Sequence, residues 1–177
     1  VVLLIDELKR MISFRVLEEV VVSRFGLPSE AALPLLLSLE YGGDWSIRSS
    51  VSAVAVKDKV TYYSGGEGVT VETIYLLVNP VIVEEEGVVA RLEKCSLKGY
   101  MEAVRRPYRV TVKSEKTVLV HVNPLKKTIE VEEGDETLTF SGGLACRLHH
   151  EIEHVRGGGE GRGEPVWTFQ VKVREKE

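Results

Sequence analysis

The chain has no apolar run long enough to cross a bilayer. Its longest, Val1–Ile5 and the proline-interrupted Ala31–Leu37, fall far short of the roughly 20 residues a membrane helix needs, so no membrane partner is expected. Cysteine is scarce. Cys95 and Cys146 are the only two, too few for a disulfide framework and suited to a reducing compartment. An apolar content of 44% therefore has to build the core unaided, and is enough to do so. There is no excess of positive charge: 23 Lys and Arg stand against 27 Asp and Glu, a net charge of −4, which gives no electrostatic footprint for direct contact with nucleic acid. No internal repeat is present, and 177 residues make one domain, 1–177. The glycine run 157–163 contains G-x-G-x-x-G lookalikes, but it follows a helical pattern instead of a strand, which excludes a dinucleotide-binding reading. Glutamine is almost missing, with Gln170 alone.

Histidine is also rare, yet three of the four lie together in Leu144-Ala145-Cys146-Arg147-Leu148-His149-His150-Glu151-Ile152-Glu153-His154. His150, Glu151 and His154 form H-E-x-x-H. On a helix, residues four apart share a face with Cβ atoms about 5–6 Å apart, so two imidazoles can converge on one metal. The intervening glutamate is then placed to act as general base on a metal-bound water. At this composition the motif arises by chance about 0.01 times per chain. A catalytic site usually has a third protein ligand. No histidine follows His154, and the downstream glutamates Glu160, Glu164, Glu175 and Glu177 sit on no recognisable second helix. The best upstream candidate is the thiolate of Cys95, a soft ligand for Fe(II) or Zn(II).

Around this motif the chain reads as α+β. Residues 3–23 have helical spacing of Leu4, Leu8, Met11 and Ile12, and are stopped by Phe25-Gly26-Leu27-Pro28. Ser29-Glu30-Ala31-Ala32 is expected to cap a second helix reaching Tyr41. From Ser50 onward, short β-branched runs alternate with glycine, asparagine, proline and charge clusters, the signature of antiparallel sheets. The expected strands are 51–56, 60–63, 69–78, 81–83, 88–92, 108–113, 117–122, 128–131 and 137–140, with hairpin breaks at Gly65–Gly68, Glu85–Gly87 and Gly134–Asp135. A helix over Leu144–Arg156 and a last strand over Val166–Val173 complete the reading.

Three landmarks in order carry a resemblance. Leu77-Val78-Asn79-Pro80-Val81-Ile82, then Glu93-Lys94-Cys95-Ser96-Leu97 with Gly99 and Val104-Arg105-Arg106-Pro107-Tyr108-Arg109-Val110, then His149-His150-Glu151-Ile152-Glu153-His154, resemble I-N-P-x-I, E-G-C-L-S followed by V-P-R-P-x-R-V, and Q-H-E-I-D-H of the peptide deformylases. The resemblance covers roughly 74–156. It implies a peptide-deformylase-like α+β fold: antiparallel β-sheets packed around a central helix carrying HExxH, with an N-terminal helix and a C-terminal strand. It implies Cys95, His150 and His154 as ligands of one divalent metal ion (Fe2+ or Zn2+, with Co2+ or Ni2+ acceptable), and Glu151 as the catalytic residue. Glu93 and Arg106 would form a charged pair propping the cysteine strand. The implied activity is hydrolysis of the formyl group from the N-terminal formyl-methionine of nascent polypeptides. In it a metal-bound water attacks the formyl carbon and Glu151 serves as general base and acid. The partner would be a formylated nascent peptide or ribosome-associated chain.

The chain departs from the pattern in its first half. The family's G-x-G-L-A-A-P-Q ends in a glutamine that helps bind the oxyanion. The nearest counterparts here are Phe25–Glu30, which puts Glu30 at that position, or Ala31–Pro34, and neither supplies an amide. The backbone N–H of Ser96 remains as an oxyanion donor. His149 replaces a glutamine and is expected to lie behind the ligands or face solvent. Cys146 is expected to pack, His121 to be structural, and Arg147 either to enter the methionine pocket or to face water. The weakened first signature and the long segment between Gly26 and Val51 suggest an organellar (mitochondrial or plastid) setting, with bacterial cytoplasm the alternative. A second reading of the same residues is a weak or inactive deformylase-like peptide-binding protein that keeps the metal site.

Overall fold

The computed structural model describes residues 2–94, 99–156 and 167–169, with side chains for 14–94 and 99–156. Three helices and eleven strands follow in the order α1 (Val2–Phe25), α2 (Ser29–Tyr41), β1 (Trp45–Arg48), β2 (Ser52–Ser64), β3 (Glu67–Val78), β4 (Val81–Glu86), β5 (Val89–Lys94), β6 (Met101–Arg106), β7 (Arg109–Lys113), β8 (Lys116–Asn123), β9 (Thr128–Glu133), β10 (Thr137–Ser141), α3 (Gly142–Arg156) and β11 (Trp167–Phe169). The class is α+β, and every strand pairing among the described residues is antiparallel.

The two N-terminal helices are delimited by local chemistry. Gly26, at φ 64°, takes the left-handed conformation that ends α1, and the N–H of Leu27 reaches back to the carbonyl of Val22 at 3.2 Å, the six-to-one bond of a Schellman cap. The expected apolar face of Leu4, Leu8, Met11 and Ile12 falls on side chains outside the described residues. In the described half, Leu17, Val21 and Phe25 recur every four residues and are buried. Ser29 does not cap α2 as expected. Pro28 occupies the N-cap position without a side-chain bond, and Ser29 is the first helical residue.

Strands β1-β2-β3-β8-β9 form a five-stranded sheet, β10-β7-β4 a three-stranded one and β11-β6-β5 another. Alternation along β2 and β3 divides the interior in two. Ala53, Ala55, Ile74, Leu76 and Val78 pack against α1 and α2. Val54, Val56 and Leu77, on the opposite face, pack against Ala145, Leu148, Ile152 and Val155 of α3 and against Val110, Val112 and Phe140. Helix α3 is thereby held between the large sheet and the β10-β7-β4 sheet. The two cores share β2 and β3, so they form one connected interior.

Several boundaries differ from the sequence pattern. The runs 51–56 and 60–63 are one strand, β2, because Lys57 is buried in an ion pair with Glu72 at 3.0 Å and the charged cluster 57–59 stays in register with β3. Strands β1 and β6 were not expected. Gly65 and Gly66, at φ 62° and 86°, make a two-residue turn of the kind that suits strand twist. The breaks at Glu85–Gly87 and Gly134–Asp135 are not hairpins. Each carries the chain from one sheet to another, since β4 pairs with β7 and β9 with β8. Of the last strand, 167–169 pair with β6 and the remaining residues of 166–173 lie outside the described residues. No described helix is long and apolar enough to cross a membrane.

Leu148 is fully buried at the centre of the second core, whereas Leu125 is 72% exposed in the β8–β9 turn. Leu148→Ala is expected to lower unfolding free energy by about 2–5 kcal/mol and Leu125→Ala by less than about 0.5 kcal/mol, read from urea unfolding midpoints.

Candidate metal centre

Helix α3 starts where β10 ends, at Gly142, whose N–H donates to the carbonyl of Tyr108 at 2.7 Å. Its buried stripe, Ala145, Leu148, Ile152 and Val155, fixes its rotation. His150, Glu151 and His154 then turn toward the side where β1 and β5 approach, half-buried.

The two imidazoles meet edge to face, with centroids 4.6 Å apart, and their Nε2 atoms are separated by 2.9 Å. Two ligand nitrogens at metal distances of about 2.0–2.1 Å and this spacing subtend roughly 90° at a shared ion. The pair therefore fits a divalent metal with little adjustment. Nδ1 of His150 lies 3.0 Å from Oε2 of Glu93 and 2.9 Å from Nη2 of Arg106. Arginine has no lone pair to offer, so Nδ1 can donate only to Glu93. Glu93 is the stronger partner, because its carboxyl is ionised, and that tautomer leaves Nε2 free for a metal. Burial and the neighbouring His150 push the pKa of His154 down, which keeps its ring neutral and able to ligate.

Arg106 organises the layer behind the two imidazoles. It is 4% exposed, its Nε and Nη2 donate to Glu93 at 3.1 and 2.8 Å, and its Nη1 is paired with Glu153. The expected Glu93–Arg106 pair is present, on adjacent strands β5 and β6. Burial pulls against ionisation of Glu93, but hydrogen bonds from His150 and Arg106 outweigh it and lower its pKa to about 2. His149 is 3% exposed, so it does not face solvent. Its Nδ1 accepts from Nη1 of Arg106 at 2.9 Å and its Nε2 donates to Glu85 at 3.2 Å. Burial lowers its pKa, which favours a neutral ring behind His150 and His154.

Glu151 is held from the front. Oγ of Ser46, on β1, donates to its Oε2 at 2.6 Å. No sequence signal marked Ser46, since one serine in a four-residue strand has no distinguishing pattern. Glu153 carried the weak signal of an acid four residues after His149. Glu30 accepts hydrogen bonds from Ser49, at 3.3 Å, and from Ser50, the Ser50 bond being the main cause of its lowered pKa. These contacts tie it to the end of β1 and not to α3. Cys95 and Ser96 lie outside the described residues, as does Gln170. The preceding residues Glu93 and Lys94 line the same cavity as His150 and Glu151.

Arg147, one turn before Glu151, enters that cavity. Its Nη1 donates to both carboxylate oxygens of Asp44 at 2.9 Å and its Nη2 to the carbonyl of Lys57 at 2.9 Å. Cys146 is 1% exposed and packs with its thiol 3.6 Å from the carbonyl of Pro107. His121 bridges Thr73 and Glu132 at 3.0 and 2.9 Å, a structural role on β8.

Arg106→Ala leaves two carboxylates without their buried cation. It is expected to destabilise the fold by about 3–5 kcal/mol in urea denaturation, with Arg106→Lys recovering part of the loss because it cannot reproduce the planar fork. Glu93 titrates lower folded than unfolded, so its contribution is complete above about pH 4.5 and disappears as pH falls through about 2. The stability difference between the native chain and Glu93→Gln should hold constant near neutrality and shrink steadily below pH 4.5. A difference that grows on acidification would contradict the assignment.

No protein-family model matches the chain, nor does any curated protein sequence, so the assignment of a role rests on its own residues.

Proposed function

We propose that this chain is a metal-dependent hydrolase that removes the formyl group from the amino-terminal amide of a peptide, on a fold resembling that of the peptide deformylases. The observation that supports it most is the arrangement on α3: two imidazole nitrogens 2.9 Å apart, one ring oriented by Glu93, and between them a glutamate held by Ser46. A purely structural metal site has no use for that glutamate.

His150 and His154 would hold the metal, with Cys95 proposed as the third ligand. A thiolate and two neutral imidazoles leave a charge of +1 with a divalent ion, Fe2+ or Zn2+, while Co2+ and Ni2+ suit the same donors. When bound, the ion supplies Lewis acidity that polarises an amide carbonyl and acidifies water.

Glu151 takes a proton from the attacking water and delivers it to the amine as the C–N bond breaks. The water oxygen ends in formate and the peptide leaves with a free amino terminus. Ser46 fixes one carboxylate oxygen of Glu151 and leaves the other to accept the proton. The backbone N–H of Ser96 is the proposed oxyanion donor. Without the family's glutamine, turnover is expected to be about 10²–10³ lower than in a site with both donors.

A non-catalytic, peptide-binding reading is favoured by one observation: the Asp44–Arg147 pair occupies the wall where the resemblance implies a thioether pocket. Formate release from formyl peptides, measured after loading with Fe(II), Co(II) or Zn(II), separates the two. Turnover at least about tenfold above Glu151→Gln is expected, and none above that control would leave only the binding reading. Cys95→Ala is expected to lose most bound metal by elemental analysis. Undiminished content would assign the third ligand elsewhere.

A further inference from the structure

A second cavity, of about 660 Å³, lies between β10 and the face of β2 and β3. It shares Arg147 with the cavity beside His150 but includes neither imidazole nor Glu151. Its volume falls within the range of sites that take a small ligand or a side chain. The floor is apolar. The rings of Tyr75 and Phe140 meet edge to face at 5.2 Å, with Leu138 and Leu144 beside them.

One charge on the wall has no countercharge. Asp58, half-buried, follows Val54 and Val56 on the same face of β2 and lies diagonally across the strand pair from Tyr75. Burial and then the Asp58 charge raise the pKa of Tyr75. The carboxylate accepts the N–H of Lys59 at 3.0 Å and has no ion pair among the described residues. Lys57 and Lys59 project from the opposite face, where both are paired with Glu72. Arg147 is committed to Asp44 and to the carbonyl of Lys57. The rim of the cavity is a strand edge. β10 ends its sheet, with β7 on one side and no partner on the other among the described residues, and Thr139 and Ser141 line the cavity. A strand added there extends the sheet. Its inward side chains then lie beside Leu138 and Phe140, over the face that carries Tyr75 and Asp58.

We propose that the edge of β10 binds an extended polypeptide segment and that the cavity takes an arginine side chain from it, the guanidinium pairing with Asp58 against the Tyr75 ring. Arginine suits this lining better than lysine, because its planar fork meets a carboxylate with two hydrogen bonds and stacks on an aromatic face. An acidic side chain would meet Asp58 at like charge, and an apolar one would strip water from that carboxylate and return nothing to it. The pairing involves neither the imidazoles nor Glu151, so it stands or falls apart from the hydrolase reading.

The test titrates the metal-loaded full chain into fluorescein-labelled Ala-Thr-Arg-Thr-Ala amide, read by fluorescence anisotropy, and into the same peptide with citrulline for arginine. The arginine peptide is expected to bind at least about tenfold more tightly than its uncharged isostere, the size of one charge-assisted hydrogen bond. Asp58→Asn should abolish that preference while leaving the urea unfolding midpoint unchanged, since the carboxylate has no ion pair to lose. N-methylating the two threonine nitrogens blocks one edge of the peptide strand, and N-methylating the arginine and last alanine nitrogens blocks the other. One set should weaken binding at least about tenfold and the other should not. Equal binding of the arginine and citrulline peptides overturns the proposal, as does a preference that survives Asp58→Asn, or no binding of the arginine peptide. Indifference to both N-methylated sets, or free agmatine binding as tightly as the peptide, removes the polypeptide from the site and overturns it as well.

Discussion

One buried guanidinium holds the centre together. Arg106 reaches back along the face of β6 to Glu93 on β5, and across to Glu153 and His149 on α3. Removing that many charged groups from water is unfavourable in itself, so its retention calls for a use beyond stability. The use is orientation: by fixing Glu93, Arg106 fixes the acceptor for Nδ1 of His150, and with it the ring's rotation and tautomer. The strand preceding Cys95 and the helix carrying the imidazoles are locked through the same five side chains, Arg106, Glu93, His149, His150 and Glu153.

The surrounding fold makes that lock possible. Helix α3 is gripped on its apolar stripe by both the large sheet and the β10-β7-β4 sheet, so its polar side cannot rotate away from β5. On the other face of β2 and β3, α1 and α2 close the first core. β1 emerges from that layer and brings Ser46 to Glu151 and Asp44 to Arg147. The site therefore draws on three parts of the chain far apart in sequence: 44–46, 91–106 and 147–154.

The polarity of the cavity follows from the same packing. Arg147 lies on the helix face shared with Glu151, because residues four apart stack on one side. It is kept there by Asp44, which also accepts the N–H of Lys57 at 2.9 Å. One wall of the cavity beside His150 is thus built around a salt bridge.

The sequence by itself determined the local features. Helix α3, the glycine end of α1, the Gly65–Gly66 turn and most strands could be read from periodicity and breakers. His150, Glu151 and His154 could be read from spacing, because the helix converts a four-residue interval into a shared face. The Glu93–Arg106 pair was readable only through the resemblance. Tertiary structure alone decided which strands pair, since β-branched runs specify a strand but not its partner. It turned two apparent hairpins into crossovers between sheets, and a broken strand into one strand once Lys57 found Glu72. It also brought Ser46 to Glu151 and turned Arg147 inward to Asp44. Those contacts bridge about a hundred residues, and no local propensity encodes a separation that only packing closes.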